Sequence, residues 1–336
     1  MKKIVSIALI IALLSFPFVS IAEEEENEAG PVLAYEEDGL RCFDGEEMIL
    51  GMYTIGEDTY YFNPEDGLAQ TGWVEDKYYF DSDYHMVKGW KDINGKTYFF
   101  GKLSGKKLTG LYKIGKGKSA LVCTFSKKGV LQRKLYASKK AVCLTFDDGP
   151  SANTSAILTT LGKYNAKATF FMVGNRCKSY QAACKKVTDK GHQVGCHTFS
   201  HPWLTNLNAK GIKSQMTKGN NAIKKYTGKK PNVCRTPGGE NTSTIRGNVG
   251  LPIILWSVDT RDWEHRDKNK TLKYVKEGAK DGAIILMHDL YKTTADAVPS
   301  VCKYLKNKGY QMVTIKEMTL LKGVKLKSGK AYYNFK

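Results

Sequence analysis

The pattern of apolar and polar positions changes several times along the chain. Met1 to Ala22 opens with Lys2-Lys3 and continues in an apolar run from Ile4 to Val19, closed by small residues at Ser20 and Ala22. That is the pattern of a secretory signal rather than a core helix, with an uncleaved anchor as the alternative. No later segment is long and apolar enough to span a bilayer, so no transmembrane segment is expected after signal cleavage. Residues 23–38 are acidic, lack a periodic apolar face and read as a flexible linker. Between Gly39 and Leu135 glycines alternate with aromatic triplets. Gly51 leads to Tyr60-Tyr61-Phe62, Gly72-Trp73 to Tyr78-Tyr79-Phe80, and Gly89-Trp90 to Tyr98-Phe99-Phe100, while Gly110 begins a degenerate copy. The glycine spacings of 21, 17 and 21 residues predict a small all-β module of repeated hairpins.

From Lys139 onward short apolar runs alternate with helical periodicity. Strands are expected at 141–146, 168–173, 193–197, 232–235, 253–258, 283–288 and 311–314. Helices are expected at 151–164 (with Ser151 as N-cap), 180–190, 209–227, 271–279 and 295–308. Regular βα alternation predicts parallel strands covered by helices, an α/β domain over 136–336. With about seven strands, a distorted (β/α) barrel is expected, its site at the C-terminal strand ends.

Five polar clusters close apolar runs: Thr145-Phe-Asp147-Asp148-Gly149-Pro150, His197-Thr-Phe-Ser-His201, Arg235-Thr-Pro237-Gly238-Gly239, Asp259-Thr-Arg-Asp262-Trp263 and Leu286-Met-His288. His197 and His201 at i, i+4 project to one side of a helical turn, as two imidazole ligands to one metal must. Adjacent carboxylates on an extended segment point opposite ways. One of Asp147 and Asp148 therefore supplies a metal oxygen while the other faces an attacking water. Two histidines and a carboxylate leave open positions, which suits catalytic Zn²⁺ or another divalent transition metal. His288, with Asp262 to orient it, is a general-acid candidate, and Arg235 near Asp147 would align that base. Singly, each cluster has an ordinary structural explanation; their placement at successive strand ends makes the case. His192 reads as structural, His265 as a surface residue, and His85 belongs to the repeats.

Charge sharpens the picture. The segment 23–135 holds 15 basic and 20 acidic residues, whereas 136–336 holds 35 and 13. A strongly basic exported domain points to a polyanionic partner such as a cell wall. No helix-turn-helix, zinc-finger or single-strand-binding motif is present, so nucleic acid is not expected. Eight cysteines in an exported chain permit disulfides, but none forms a CxxC pair. Cys177 and Cys184, i and i+7 on one expected helix, would lie about 10 Å apart, too far for a bridge unless that helix is broken.

In their order, TFDDGP, HTFSHP, RTPGG, DTRDW and LMH resemble the five motifs of the polysaccharide deacetylases, carbohydrate esterase family 4. The resemblance covers about residues 139–322. It implies metal-dependent removal of acetyl groups from sugars, with Asp147 as catalytic base and Asp148, His197 and His201 as metal ligands. It further implies that Arg235 orients the base, Asp262 tunes the acid His288, and Leu286 and Trp263 form the slot for the acetyl methyl. Gly238 stands where the family usually has an aromatic. Its backbone N–H is retained as an oxyanion donor, while an aromatic wall of the sugar groove is lost. The repeats resemble choline-binding-type cell-wall modules, in which Trp73, Tyr79 and Trp90 would contact a wall polymer; the alternative is a spacer without ligand. The expected substrate is the N-acetylated amino sugar of peptidoglycan. The alternatives are an O-acetyl esterase on acetylated xylan and a non-catalytic wall-binding protein. A secreted, wall-associated enzyme is the expectation.

Overall fold

The computed structural model describes residues 30–336; the expected signal and the start of the acidic segment lie outside the described residues. Two compact units are present. The first takes in the described residues up to 89 together with 100–106, the second 90–99 and 107–336. The second unit therefore begins well before the boundary expected at Tyr136.

In the first unit, β1 (Val32–Glu36), β2 (Gly39–Asp44) and β3 (Glu47–Met48) form an antiparallel sheet. Val32–Glu36 is thus a strand, not linker: all five residues pair with 39–43, Val32 opposite Phe43 and Tyr35 opposite Leu40. The hairpins β4 (Gly51–Ile55)–β5 (Asp58–Phe62) and β6 (Gly72–Val74)–β7 (Tyr78–Phe80) follow. Phe62 and Phe80, each last in its aromatic triplet, are fully buried. The recurring glycines Gly51, Gly72, Gly89 and Gly110 have φ of 76°, 79°, 86° and 89°, left-handed conformations that explain why the repeat requires glycine there. Trp73 stands opposite Tyr79 across its hairpin, their rings edge to face at 5.4 Å, and Trp73 also meets Phe100 at 5.8 Å. These rings pack on one another.

Two further strands, β8 (Gly89–Ile93) and β9 (Lys96–Phe100), pair. In the second unit the antiparallel β10 (Gly110–Ile114), β11 (Leu121–Phe125) and β12 (Leu131–Tyr136) precede the parallel sheet. One face of Trp90 is taken by the Lys134 ammonium at 4.8 Å, and Phe99 packs on the same ring.

The parallel sheet is built on β13 (Ala141–Asp147), buried along its whole length as an apolar central strand should be. β14 (Ala168–Met172) and β15 (Gln193–Cys196) extend it on one side. The next two strands, β16 (Ile253–Ile254) and β17 (Val258–Asp259), are short, and β17 pairs with β18 (Ile284–His288), which pairs with β13. β19 (Gln311–Met312) joins the start of β13, and β20 (Ala331–Tyr332) pairs with β16. The 232–235 segment, expected to be a strand, contributes only single bridges from Cys234 to Cys196 and Ile253. The expected 253–258 strand splits because its partner changes: Leu255 N donates to Tyr332 O, whereas Ser257 N donates to Ile284 O.

The covering helices are α1 (Thr154–Lys163), α2 (Gln181–Asp189), α3 (Ala209–Thr227), α4 (Ser243–Asn248), α5 (Asp262–His265), α6 (Lys268–Gly278), α7 (Lys292–Asn307) and α8 (Ile315–Lys322). Their buried stripes, such as Ile157, Leu158 and Leu161 on α1 and Val298, Val301 and Leu305 on α7, meet Leu144 and Phe146 in one core. No helix among the described residues is long and apolar enough to cross a membrane. Cys177 does not share a helix with Cys184. It lies in a 3-10 turn at Gly174–Lys178, which places the Cys184 thiol 3.9 Å from the Cys177 carbonyl. All eight cysteines are buried and unbridged.

The β10–β12 sheet is fastened to the parallel unit by Arg133. Its Nη2 donates to Met312 O at 2.8 Å, and its Nε lies 3.1 Å from Glu317 Oε1, an ion pair not aligned as a hydrogen bond. Both side chains are buried. Breaking one partner of a buried pair strands the other, so Arg133→Ala should cost about 3–5 kcal/mol. A lowered urea midpoint, with near-native circular dichroism before the transition, is the outcome expected.

Candidate active site

The C-terminal ends of the parallel strands converge. Asp147 is the last residue of β13 and pairs in register with His288, the last residue of β18. Leu286, two positions earlier on the same strand face, is buried. Register alone thus makes Asp147 and His288 neighbours.

After Asp147 the chain turns sharply. Asp148 adopts a left-handed φ of 65°, which swings its carboxylate toward the loop that follows β15. Asp148 Oδ1 lies 3.3 Å from His197 Nε2 and 3.2 Å from His201 Nε2. The two histidines do not sit on a helical turn as expected. The loop is irregular, with Thr198 and His201 at φ of 64° and 60°, and it is these left-handed residues that bring the imidazoles together at 4.8 Å. Gln215 of α3 holds the loop, its Oε1 accepting from Phe199 N and Ser200 N at 3.0 Å.

The donor set suits a divalent cation. One ligand atom from each of Asp148, His197 and His201 lies within 4.8 Å of the others. The His197 Nδ1–H donates to the Arg235 carbonyl at 2.7 Å, which leaves a lone pair on Nε2 in the neutral ring. That lone pair faces Asp148 Oδ1, a buried oxygen without an aligned hydrogen-bond donor. A cation between them resolves the repulsion, and two imidazoles with one carboxylate match zinc or a similar ion. Without a cation, burial opposes charge on Asp148, but protonated His197 and His201 rings donating to it would outweigh that and hold the carboxyl below the usual carboxylate range.

Arg235 is fully buried beside this cluster. Its Nη1 donates to Asp147 Oδ1 at 2.8 Å and to Thr145 Oγ1 at 2.9 Å. Nε and Nη2 reach the carbonyls of Ile254 and Leu255. Phe171 and Trp256 cover the guanidinium faces. On the other flank Asp262 opens α5 and is buried. It accepts from His288 Nδ1 and from His288 N, both at 2.8 Å, and from Thr294 Oγ1 at 2.6 Å. Burial disfavours the imidazolium of His288, but the bond to Asp262 outweighs it and raises the pKa above the ordinary histidine value. Trp263, next along α5, is 45% exposed.

Several supporting residues carried no sequence signal. Asp289, fully buried, accepts from Ser151 Oγ at 2.7 Å and Thr154 Oγ1 at 2.8 Å, tying α1 to the strand end. Ser151 is therefore not a helix N-cap; that position falls to Asn153, which makes no side-chain cap bond. Thr294 and Gln215 are ordinary surface-type residues until the fold places them. His192 is structural, accepting from Ala168 N, with burial pushing its pKa down to about 3. His265 is half-buried rather than a surface residue, hydrogen-bonded through Nε2 to Thr260 O and stacked on Tyr274. His85 stays in the hairpin unit, against Tyr60.

Known proteins are similar to this chain across the parallel-sheet unit. A family model for polysaccharide deacetylases matches residues 134–250, which takes in the first three clusters. The chain is 42% identical over 198 residues to the peptidoglycan-N-acetylglucosamine deacetylase PgdA of Listeria monocytogenes. That match covers 59% of this chain and 42% of the Listeria protein, so the chain spans under half the length of that relative. The solved peptidoglycan deacetylase PdaC of Bacillus subtilis is 37% identical with a TM-score of 0.55, covering 56% of this chain and 94% of that one. A family 4 acetyl xylan esterase from Clostridium thermocellum, solved with a cobalt ion, is 34% identical with a TM-score of 0.56, covering 58% and 98%. The chain belongs to the polysaccharide deacetylase family.

Two measurements check the site itself. Zinc titrated calorimetrically into chelator-treated protein should bind at one site. His197→Ala or Asp148→Ala should weaken it by more than about 100-fold, the upper end of what losing even an outer-shell partner costs. Without metal, NMR titration should show His288 protonating above the ordinary histidine pKa. The Asp262 carboxylate favours the charged ring, so Asp262→Asn should move that titration to lower pH.

Proposed function

We propose that this chain is a metal-dependent hydrolase removing N-acetyl groups from the amino sugars of a cell-wall polysaccharide, namely peptidoglycan. The observation that carries this reading is the Asp148–His197–His201 cluster beside two oriented pairs, Asp147 with Arg235 and His288 with Asp262. Amide hydrolysis at neutral pH requires an activated water, a proton donor and oxyanion stabilisation, and these groups answer each need.

A divalent cation would be held by Asp148, His197 and His201, and the chemistry it supplies when bound is polarisation of a carbonyl and acidification of water. Asp147, fixed by Arg235, accepts the proton of the attacking water. The Gly238 N–H donates to the oxyanion that develops on the acetyl carbonyl. His288 carries its transferable proton on Nε2, because Nδ1–H is committed to Asp262. It delivers that proton to the departing amine as the C–N bond breaks. Acetate and a free amino sugar result. Leu286 and Trp263 wall the acetyl methyl.

Support for the polymer comes from the relatives named as peptidoglycan deacetylases, from the expected signal, and from the excess of basic side chains after Tyr136. The protein would then act outside the cytoplasm, at the wall. The bridges through Cys234 and the β16–β20 pair support reading the catalytic unit as a distorted barrel. Trp73 and Tyr79 packing on each other supports the hairpins as a spacer.

Acetate release from peptidoglycan and from acetylxylan, with and without chelator, tests the reading. Activity on peptidoglycan that chelator abolishes is expected; activity confined to xylan would move the assignment to an ester substrate. Asp147→Asn and His288→Ala should each lower kcat by roughly 10²–10⁴-fold. Near-wild-type rates in either variant would remove that residue from the mechanism.

A further inference from the structure

Gly238 presents no side chain to the site, and the structure shows what occupies that space. A Cβ built on Gly238 would overlap the indole of Trp203, lying 2.7 Å from Cη2 and closer still to Cζ3. Trp203 is nevertheless 59% exposed, so one part of the ring rests on the Gly238 backbone while the rest is open to solvent.

The loop that carries the ring is fixed beside Gly238. Trp203 follows His201 by two residues, with Pro202 between them, so its Cα lies within about 7 Å of that of the metal-site histidine. Just beyond it, Glu240 clamps the turn: Oε2 accepts from Leu204 N at 2.6 Å, and the Thr205 hydroxyl donates to Oε1. Glu240 belongs to the same segment as Gly238, and Thr236 Oγ1 closes that segment on Glu240 O at 2.6 Å. The two loops are thus tied so that the indole sits over Gly238. A large exposed apolar side chain held this firmly beside polar groups has the character of a ligand platform rather than of core packing.

We propose that Trp203 is a substrate-binding residue, its exposed indole stacking on the apolar face of a pyranose ring of the polymer chain. This rests on the deacetylase reading above and gives that site its sugar-recognising surface. Gly238 follows as a steric consequence: any side chain there would displace the platform. Glu240 acts as a positioning residue through the loop it clamps.

The test uses the zinc-loaded full chain as wild type, Trp203→Ala and Trp203→Tyr. Two substrates are compared, a tetramer of β-1,4-linked N-acetylglucosamine and an aryl acetate too small to reach the indole. Acetate release from the tetramer by Trp203→Ala should show KM raised about ten-fold, the upper range for one aromatic contact, with kcat within two-fold. Trp203→Tyr should recover most of the loss, and neither variant should change turnover of the aryl acetate. An unchanged KM for the tetramer in Trp203→Ala, or an equal loss on the aryl acetate, overturns the proposal. Calorimetric binding of the fully deacetylated tetramer gives a readout independent of turnover, with weaker binding by Trp203→Ala expected. A wild type that releases no acetate yet binds the tetramer through Trp203 would refute the deacetylase reading alone; equal binding by wild type and Trp203→Ala refutes the platform.

Discussion

The buried guanidinium of Arg235 is the interaction on which the rest of the site depends. A fully buried cation is costly unless each donor is satisfied, and this one is bonded to Asp147, Thr145 and two backbone carbonyls. Those contacts tie β13 to the end of β16 and the residue after it. The same residue's carbonyl receives the His197 imidazole, so Arg235 orients a carboxylate with its side chain and a histidine of the candidate metal site with its main chain. Removing it would leave Asp147 without its ion-pair partner and withdraw the guanidinium that joins two strand ends.

Around that centre, strand and loop divide the labour. Asp147 and His288 are fixed by parallel register, a rigid device that needs no special conformations. Asp148, Thr198, His201, Gly238 and Arg261 instead have φ between 52° and 65°. Four of these are non-glycine residues in the sparsely populated left-handed region, each at a cost of order 1–3 kcal/mol. Such conformations persist because other contacts over-determine them: Gln215 under the histidine loop, Asp289 beneath the turn after Asp148, Glu240 across Trp203. Strain at the site is thus sustained by hydrogen bonds anchored in the helices and in the neighbouring loops.

Much of the fold could be read from periodicity. The buried run 141–147, the apolar stripes of α1 and α7 and the bounds of α3 were all legible, because apolar spacing reports directly on which face is buried. The split of 253–258 was not, since a strand that exchanges one hydrogen-bond partner for another keeps the same apolar composition. The segment 32–36 misled because it was read with the acidic stretch around it, whereas its Val-Leu-Ala-Tyr-Glu run pairs along its whole length with β2. The Cys177–Cys184 spacing misled because Cys177 lies in a 3-10 turn that ends before α2 begins.

The sequence by itself determined which residue types close each strand and in what order, and those five clusters were enough to place the chain among the polysaccharide deacetylases. It did so because side-chain chemistry and strand ends are local properties. Only the tertiary structure decided how His197 and His201 meet, through left-handed loop residues rather than a helical turn. It alone brought Asp289, Thr294 and Gln215 beneath the site and laid Trp203 across Gly238. These are contacts between residues distant in the chain, and no local pattern encodes which distant group will arrive to fill a space or complete a hydrogen bond.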